Sequence, residues 1–220
     1  KPGDRLALAV PGYMNAENLG LLLGIAMDLD IPVVAMVDAA VAATRRQYKN
    51  AVPVHVDLSL HSTMLTRLQQ EGQAQYERSA IVDEAGMLDL YGIWLRMIAE
   101  SFVQQSRFDP LHTAETEQML QDRILDWLAI ASTRETVPIE IKYRGIAHQA
   151  EISSLDFVAA ATPVYQNIVS NLRALYRGGE TPALQLSDRA ARMPGLADTL
   201  KARVGGAVFL LEAGDRKSVV

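Results

Sequence analysis

The groups in this chain that could do chemistry are few: four histidines, a scatter of carboxylates and no cysteine. His55, His61, His112 and His148 show no metal-ligand spacing with a nearby carboxylate pair, so no metal site is predicted and they read as surface or strand histidines. Without Cys there is no thiol nucleophile, no Cys-ligated zinc or iron–sulfur centre and no disulfide framework. None of the Ser-rich spots has a nucleophile-elbow pattern. Trp94 and Trp127 fall on the inner faces of predicted helices and read as core, not as platforms for bases or sugars. What remains are acids at the ends of apolar strands, Asp38 after Val33 to Val37 and Asp57 in the run from Val52 to Leu60.

The 220 residues suffice for one good-sized domain or two small ones. Apolar residues make up 49%, which a folded core requires and a disordered chain lacks. The formal charge of −5 argues against a general nucleic-acid binder. No apolar stretch is long enough to cross a bilayer, and Asp4 and Arg5 precede only a brief apolar run, so no signal peptide is expected. The lack of Cys fits a reducing compartment, and a cytoplasmic location is expected. The chain opens without Met and almost directly in a strand-like run.

The elements that must position these groups read as α/β. Arg5 to Val10 is a buried strand broken by Pro11 and Gly12. Asn15 caps a helix in which Leu19, Leu22, Leu23, Ala26 and Leu29 are expected to face inward. Val33 to Val37 is a second strand, followed by a tightly packed helix over Ala39 to Ala43. Val52 to Leu60 is a third strand, with Thr63 to Leu68 as its hairpin partner. A helix from Leu88 to Phe102 is predicted to bury Leu88, Tyr91, Leu95, Ile98 and Phe102. Thr113 caps another, whose inner stripe is Leu120, Ile124, Trp127, Leu128 and Ala131. Alternation from Val137 to Tyr143 and a turn at Gly145 predict a hairpin returning through Ile152. Ser154 opens a long helix with Phe157, Ala161, Val164, Ile168, Leu172 and Leu175 inward, closed by Gly178 and Gly179. Strands at Ala183 to Leu186 and Ala207 to Leu211 flank a helix from Gly195 to Val204.

This order carries a resemblance. Val-Pro-Gly-Tyr (10–13), Asp38 running into Ala39-Ala40-Val41-Ala42-Ala43, Asp57-Leu58-Ser59-Leu60-His61-Ser62 and Arg192-Met193-Pro194 follow one another as similar motifs do in the actin-like ATPase superfamily. The nucleotide-binding domain of Hsp70 chaperones is the most similar member. Val82 to Asp89 and the hairpin of Ile139 to Ile152, followed by Ser154 to Phe157, also resemble it. The resemblance covers nearly the whole chain, starting part-way into the first lobe. It implies a ribonuclease H-like actin/Hsp70 fold with two lobes: a partial lobe I (1–47), lobe II (48–183, with an outer subdomain at about 103–152) and a return segment (184–220).

The resemblance also implies where a site would lie. The carboxylate near the attacking water maps to Asp38 and the metal-associated acid to Asp57, while a second family Asp maps to Met64. The nucleotide-binding positions map to Ser59, Ser62, Asp188 and Arg189. In the family a triple glycine, whose bare backbone N–H groups approach the phosphates, stands where this chain has Ser59, Leu60 and His61, and a Gly-Gly-Ser that lines base and ribose stands where it has Asp188, Arg189 and Ala190. Here Ser59, Leu60, His61, Asp188 and Arg189 carry side chains. Phosphoryl transfer depends on positioning and charge neutralisation, so the expectation is a degenerate Hsp70-like domain that no longer hydrolyses ATP, with no cofactor, serving as a structural or protein-interaction module for a protein partner. The alternative is an ATP- and magnesium-binding chaperone-type ATPase using non-standard contacts. In a degenerate cleft, Leu60 is expected to fill apolar volume, and Arg189 to reach Asp57 or Asp38 from the opposite wall and tie the lobes together.

Overall fold

The computed structural model describes residues 5–211. Two βα units come first: β1 (Leu6–Val10), α1 (Ala16–Asp28), β2 (Val33–Asp38) and α2 (Ala39–Ala43), with β1 and β2 forming a parallel pair. A mixed five-stranded sheet follows, ordered β5-β4-β3-β8-β9, from β3 (Val52–Leu58), β4 (Ser62–Glu71), β5 (Gln73–Asp83), β8 (Pro182–Leu186) and β9 (Ala207–Leu210). Strands β3, β4 and β5 are antiparallel neighbours, whereas β8 and β9 run parallel to β3. Between β5 and β8 the chain forms α3 (Met87–Ser106), α4 (Ala114–Ala131), the hairpin β6 (Thr136–Tyr143) and β7 (Ile146–Ser153), and α5 (Ser154–Leu175). A short α6 (Asp188–Ala191) and α7 (Leu196–Val204) separate β8 from β9. The molecule is α/β, as the sequence predicts. The boundary expected at 183/184 falls inside β8, so the last stretch shares its sheet with residues 52–83.

One core spans the larger unit. Val54, Val56 and Leu58 of β3 meet Leu90, Trp94, Ile98 and Phe102 of α3 and Phe157, Ala161, Tyr165 and Ile168 of α5. Both tryptophans are buried, and Trp94 Nε1 donates to Phe157 O at 2.8 Å, so the indole N–H is satisfied inside the core. The inner face of α3 carries Trp94, Ile98 and Phe102 as predicted, but Leu88 is exposed and Tyr91 and Leu95 are half-buried, while Leu90 takes a core position. The α4 stripe and the Thr113 cap follow the sequence reading. Ser154 opens α5, as the sequence predicts, and Ser153 caps it through Leu155 N.

Two further differences have physical causes. Strand β5 was not expected, because Gln73 to Asp83 is largely polar; it is an outer strand of the sheet, and polar side chains suit an edge. In α1 only Ala26 is buried; Leu19 and Leu22 are half-buried, and Leu23 and Leu29 are exposed, with Leu21, Ile25 and Met27 exposed as well. A two-stranded sheet offers too little surface to cover an apolar helix.

Behind the sheet, Arg67 is 4% exposed. Its guanidinium donates to Glu77 Oε2 at 2.7 Å, to both Glu180 oxygens at 2.6 and 2.8 Å, and to Leu175 O at 2.8 Å at the end of α5. This one cation joins β4, β5, the end of α5 and the loop leading to β8. Removing one partner of a buried ion pair strands the other charge and costs about 3–5 kcal/mol, so Arg67→Ala is expected to lose stability on that scale in urea denaturation. Hydrogen bonding to Arg67 holds the Glu180 carboxyl down at about 2, against an ordinary 4.5. That stabilisation is complete above the ordinary value and is lost as pH falls toward about 2. Urea midpoints measured from pH 6 to pH 2 should therefore fall less steeply in Glu180→Gln than in the wild type.

Candidate functional site

Period-two alternation along β3 builds the floor of a cleft. Val54, Val56 and Leu58 point into the core, and the intervening His55 and Asp57 point the other way. Register then sets Met64 of β4 and Ile81 of β5 beside Asp57, and Thr66 beside His55. The facing wall comes from the first unit: Pro11, Gly12 and Tyr13 after β1, and Asp38, Ala39 and Ala40 where β2 passes into α2. The cleft encloses about 660 Å³. Asp38 and Asp57 therefore line one cavity, contributed by different units.

Asp38 has a structural task. Its Oδ1 accepts from Ala40 N at 2.7 Å and Val41 N at 3.4 Å, capping α2. Its Oδ2 lies beside Gly12, where an added Cβ would sit 2.6 Å away, so glycine is what lets the chain pass this carboxylate. Asp83, at the end of β5, adds a third carboxylate to the lining. Among the described residues no group of three or more His, Cys, Asp or Glu is placed to hold a metal ion. His55 is 1% exposed, a strand histidine as expected, whereas His61 is exposed on the turn. His148 stacks on Phe108 with centroids 3.8 Å apart, well away on the outer hairpin.

The turn from Ser59 to Ser62 is closed on itself. Ser59 N donates to Ser62 O at 2.9 Å, Ser59 Oγ donates to the same oxygen at 2.7 Å, and Ser62 N donates to Ser59 Oγ at 3.2 Å. From behind, Met87 N donates to Ser59 O and Leu88 N to Leu60 O, at 2.9 and 3.0 Å. Gly86 packs so tightly there that a Cβ would lie 2.4 Å from Leu60 O and His61 C. Ser59 and Ser62 thus spend their backbone N–H groups within the turn. A phosphate cradle needs such N–H groups bare and convergent. The N–H groups of Ser59 and Ser62 are therefore not free for the phosphates of the nucleotide that the resemblance implies.

Arg189 Nη2 lies 3.4 Å from Asp57 Oδ1, so the expected bridge to one of the two acids is present. It does not tie the units together. Asp57 sits at the end of β3 and Arg189 in α6 just after β8, neighbouring strands of one sheet. Nor is the cleft filled: Leu60 lines it but stays 52% exposed, and about 660 Å³ remains open. Asp188 lies outside the cleft lining. It accepts from Arg192 Nε and Nη2 at 3.2 and 2.9 Å and borders a second cavity of about 530 Å³. That cavity is walled by Met87, Tyr91, Leu125, Leu128 and Met193, and Arg189 lines both cavities. Burial pushes the Tyr91 hydroxyl up, opposed by the charges of Arg189 and Arg192.

Of the residues read from sequence, Asp38, Asp57, Ser59, Ser62 and Arg189 meet at the cleft, and Asp188 does not. Sequence reasoning missed Gly12, His55 and Asp83. The alternation of β3 carried the signal for His55, since 55 and 57 share a face. Neither a protein-family model nor a curated protein sequence matches the chain.

Close packing behind the turn gives a direct test. Gly86→Ala should displace the Leu60–Ser62 backbone and lose about 1–3 kcal/mol. Gly20→Ala in α1, where a Cβ meets nothing within 4 Å, should be neutral or gain up to about 1 kcal/mol. Thermal unfolding of both variants checks the contrast.

Proposed function

We propose that this chain is a degenerate member of the actin-like ATPase superfamily, of Hsp70-like type, that no longer hydrolyses ATP and serves as a structural or protein-interaction module. The single observation carrying this reading is the Ser59–Ser62 turn, in which the Ser59 and Ser62 N–H groups are spent internally and Leu60 and His61 carry side chains at positions where a phosphate cradle needs bare backbone. The arrangement around it supports the fold part of the proposal. A unit of two βα repeats faces a mixed sheet across a cleft, and Asp38 and Asp57 line it from the two sides. In this reading Asp38 keeps a capping role, and the retained acids no longer serve phosphoryl transfer.

A second reading, a nucleotide held by non-standard contacts, is favoured by one observation. The cavity beyond Arg189 is apolar on one side, adjoins the cleft, and at about 530 Å³ has room for an aromatic base. Isothermal calorimetry with magnesium-ATP separates the two. The module reading expects no saturable heat at micromolar nucleotide. A micromolar Kd, about −8 kcal/mol, favours the second reading and overturns the first. A turnover assay on the same preparation is expected to release no phosphate above the buffer rate.

A further inference from the structure

We propose that the segment joining the two units, residues 44–51, is a clasp that fixes the opening of the cleft, which makes the cleft a preformed recess instead of one that opens and closes. The inference concerns the mechanics of the cleft and stands whether or not a nucleotide binds there. Among the described residues the chain crosses once from the smaller unit to the larger, between α2 and β3. A lone crossing is where one unit would swing on the other, since a hinge is a few residues that absorb a change in φ and ψ. Such a hinge needs its backbone free to turn, and this one is gripped along its length.

The grip begins in α2, which packs on β4 and β5 with Ala39, Ala40 and Ala43 buried. Just beyond it, Thr44 Oγ1 lies 2.8 Å from Oε1 of Gln185, a fully buried side chain on β8. The next hold comes from the tip of the β4–β5 hairpin. Gln70 presents its side-chain amide to the crossing as a neighbouring strand presents a peptide: Tyr48 N donates to its Oε1 at 2.9 Å, and its Nε2 donates to Arg46 O at 2.6 Å. Beside it, Gln47 Nε2 donates to Gly72 O at 3.2 Å. The Tyr48 ring packs on Phe209 of β9 with centroids 4.8 Å apart. Strands β4 and β5 lie on one side of β3, and β8 and β9 on the other. The crossing is therefore held to both flanks of the strand it enters, and a swing in either direction breaks contacts on one flank. Each hydrogen bond is modest alone, but they must break together for the unit to turn. A recess with fixed walls meets its partner without the ordering cost of closure.

The test is a pair of spin labels, one on each unit, read by pulsed electron double resonance. The chain has no Cys, so labels attach only where Cys is introduced. Val34→Cys on β2, where Val34 is 59% exposed, and Asp126→Cys on α4, where Asp126 is exposed, report the distance between units. Asp126→Cys with Gln166→Cys, exposed on α5, reports a distance within the larger unit. With the clasp intact, both pairs are expected to give a single narrow distance peak. Gln70→Ala/Tyr48→Ala removes the amide grip and the ring contact; the pair between units should then lose its narrow peak while the pair within the larger unit keeps it. The proposal is overturned if the pair between units is already broad or double-peaked with the clasp intact, an outcome that needs no clasp variant to fold. It is overturned as well if Gln70→Ala/Tyr48→Ala leaves that peak narrow, or if the pair within the larger unit broadens with it, because Gln70 and Tyr48 would then hold the sheet and not the joint. Micromolar magnesium-ATP binding with a narrow peak would overturn the functional reading and leave the clasp standing.

Discussion

Strand β3 is the constraint on which the rest of the structure depends. It is the central strand, antiparallel to β4 on one side and parallel to β8 on the other. A strand so placed has no freedom to slip, because a one-residue shift would turn Val54, Val56 and Leu58 out of the core and drive His55 and Asp57 into it. The identity of the cleft floor follows from that register. So does the neighbourhood of Asp57: its partner on β4 is Met64, and β8 ends beside it so that α6 begins within reach. The Arg189 contact is a consequence of parallel pairing, which delivers the chain after β8 to the same sheet end as the chain after β3.

The same geometry fixes the turn at one end of the cleft. The Ser59–Ser62 turn has to close the β3–β4 hairpin, and α3 has to start immediately behind it. Gly86 allows that close approach. Once serines stand at both ends of the turn, their hydroxyls and N–H groups satisfy one another locally, as short hydroxyl side chains do in turns. The core lies on the other face of β3. Chemistry at the cleft and stability of the sheet are carried by alternate residues of one strand, so one can be altered while the other stands.

Stability and exposure are divided unevenly between the two units. The larger one is stitched by aromatic packing and by Arg67, whose bidentate pair with Glu180 and bond to Leu175 O join β4 to the end of α5. The smaller one rests on a two-stranded parallel pair, and α1 leaves Leu21 and Met27 about two-thirds exposed. Asp38 and Gly12 matter beyond the cleft for this reason. The cap on α2 and the close passage of the chain past it are contacts within the β1–β2 unit, on the side that lines the cleft.

Much of this was legible in the residues. Alternation in β3 and β6, the caps at Asn15 and Thr113, the α4 stripe and the α/β order are local properties, and short-range sterics and hydrogen bonding set them whatever the surroundings. The meeting of Asp38, Asp57 and Arg189 in one region was reachable only through a resemblance of motif order, because no local rule links positions so far apart in the chain. Other features were decided by tertiary structure alone. Polar β5 is a strand because β4 offers it an edge, and α1 stays exposed because its sheet is too narrow to cover it. Leu90 rather than Leu88 is buried on α3. Arg189 pairs within its own sheet, and Asp188 turns to Arg192 instead of the cleft. These outcomes depend on which surfaces are brought together, and a sequence read along one chain carries the propensity of each residue but not the neighbour it will meet.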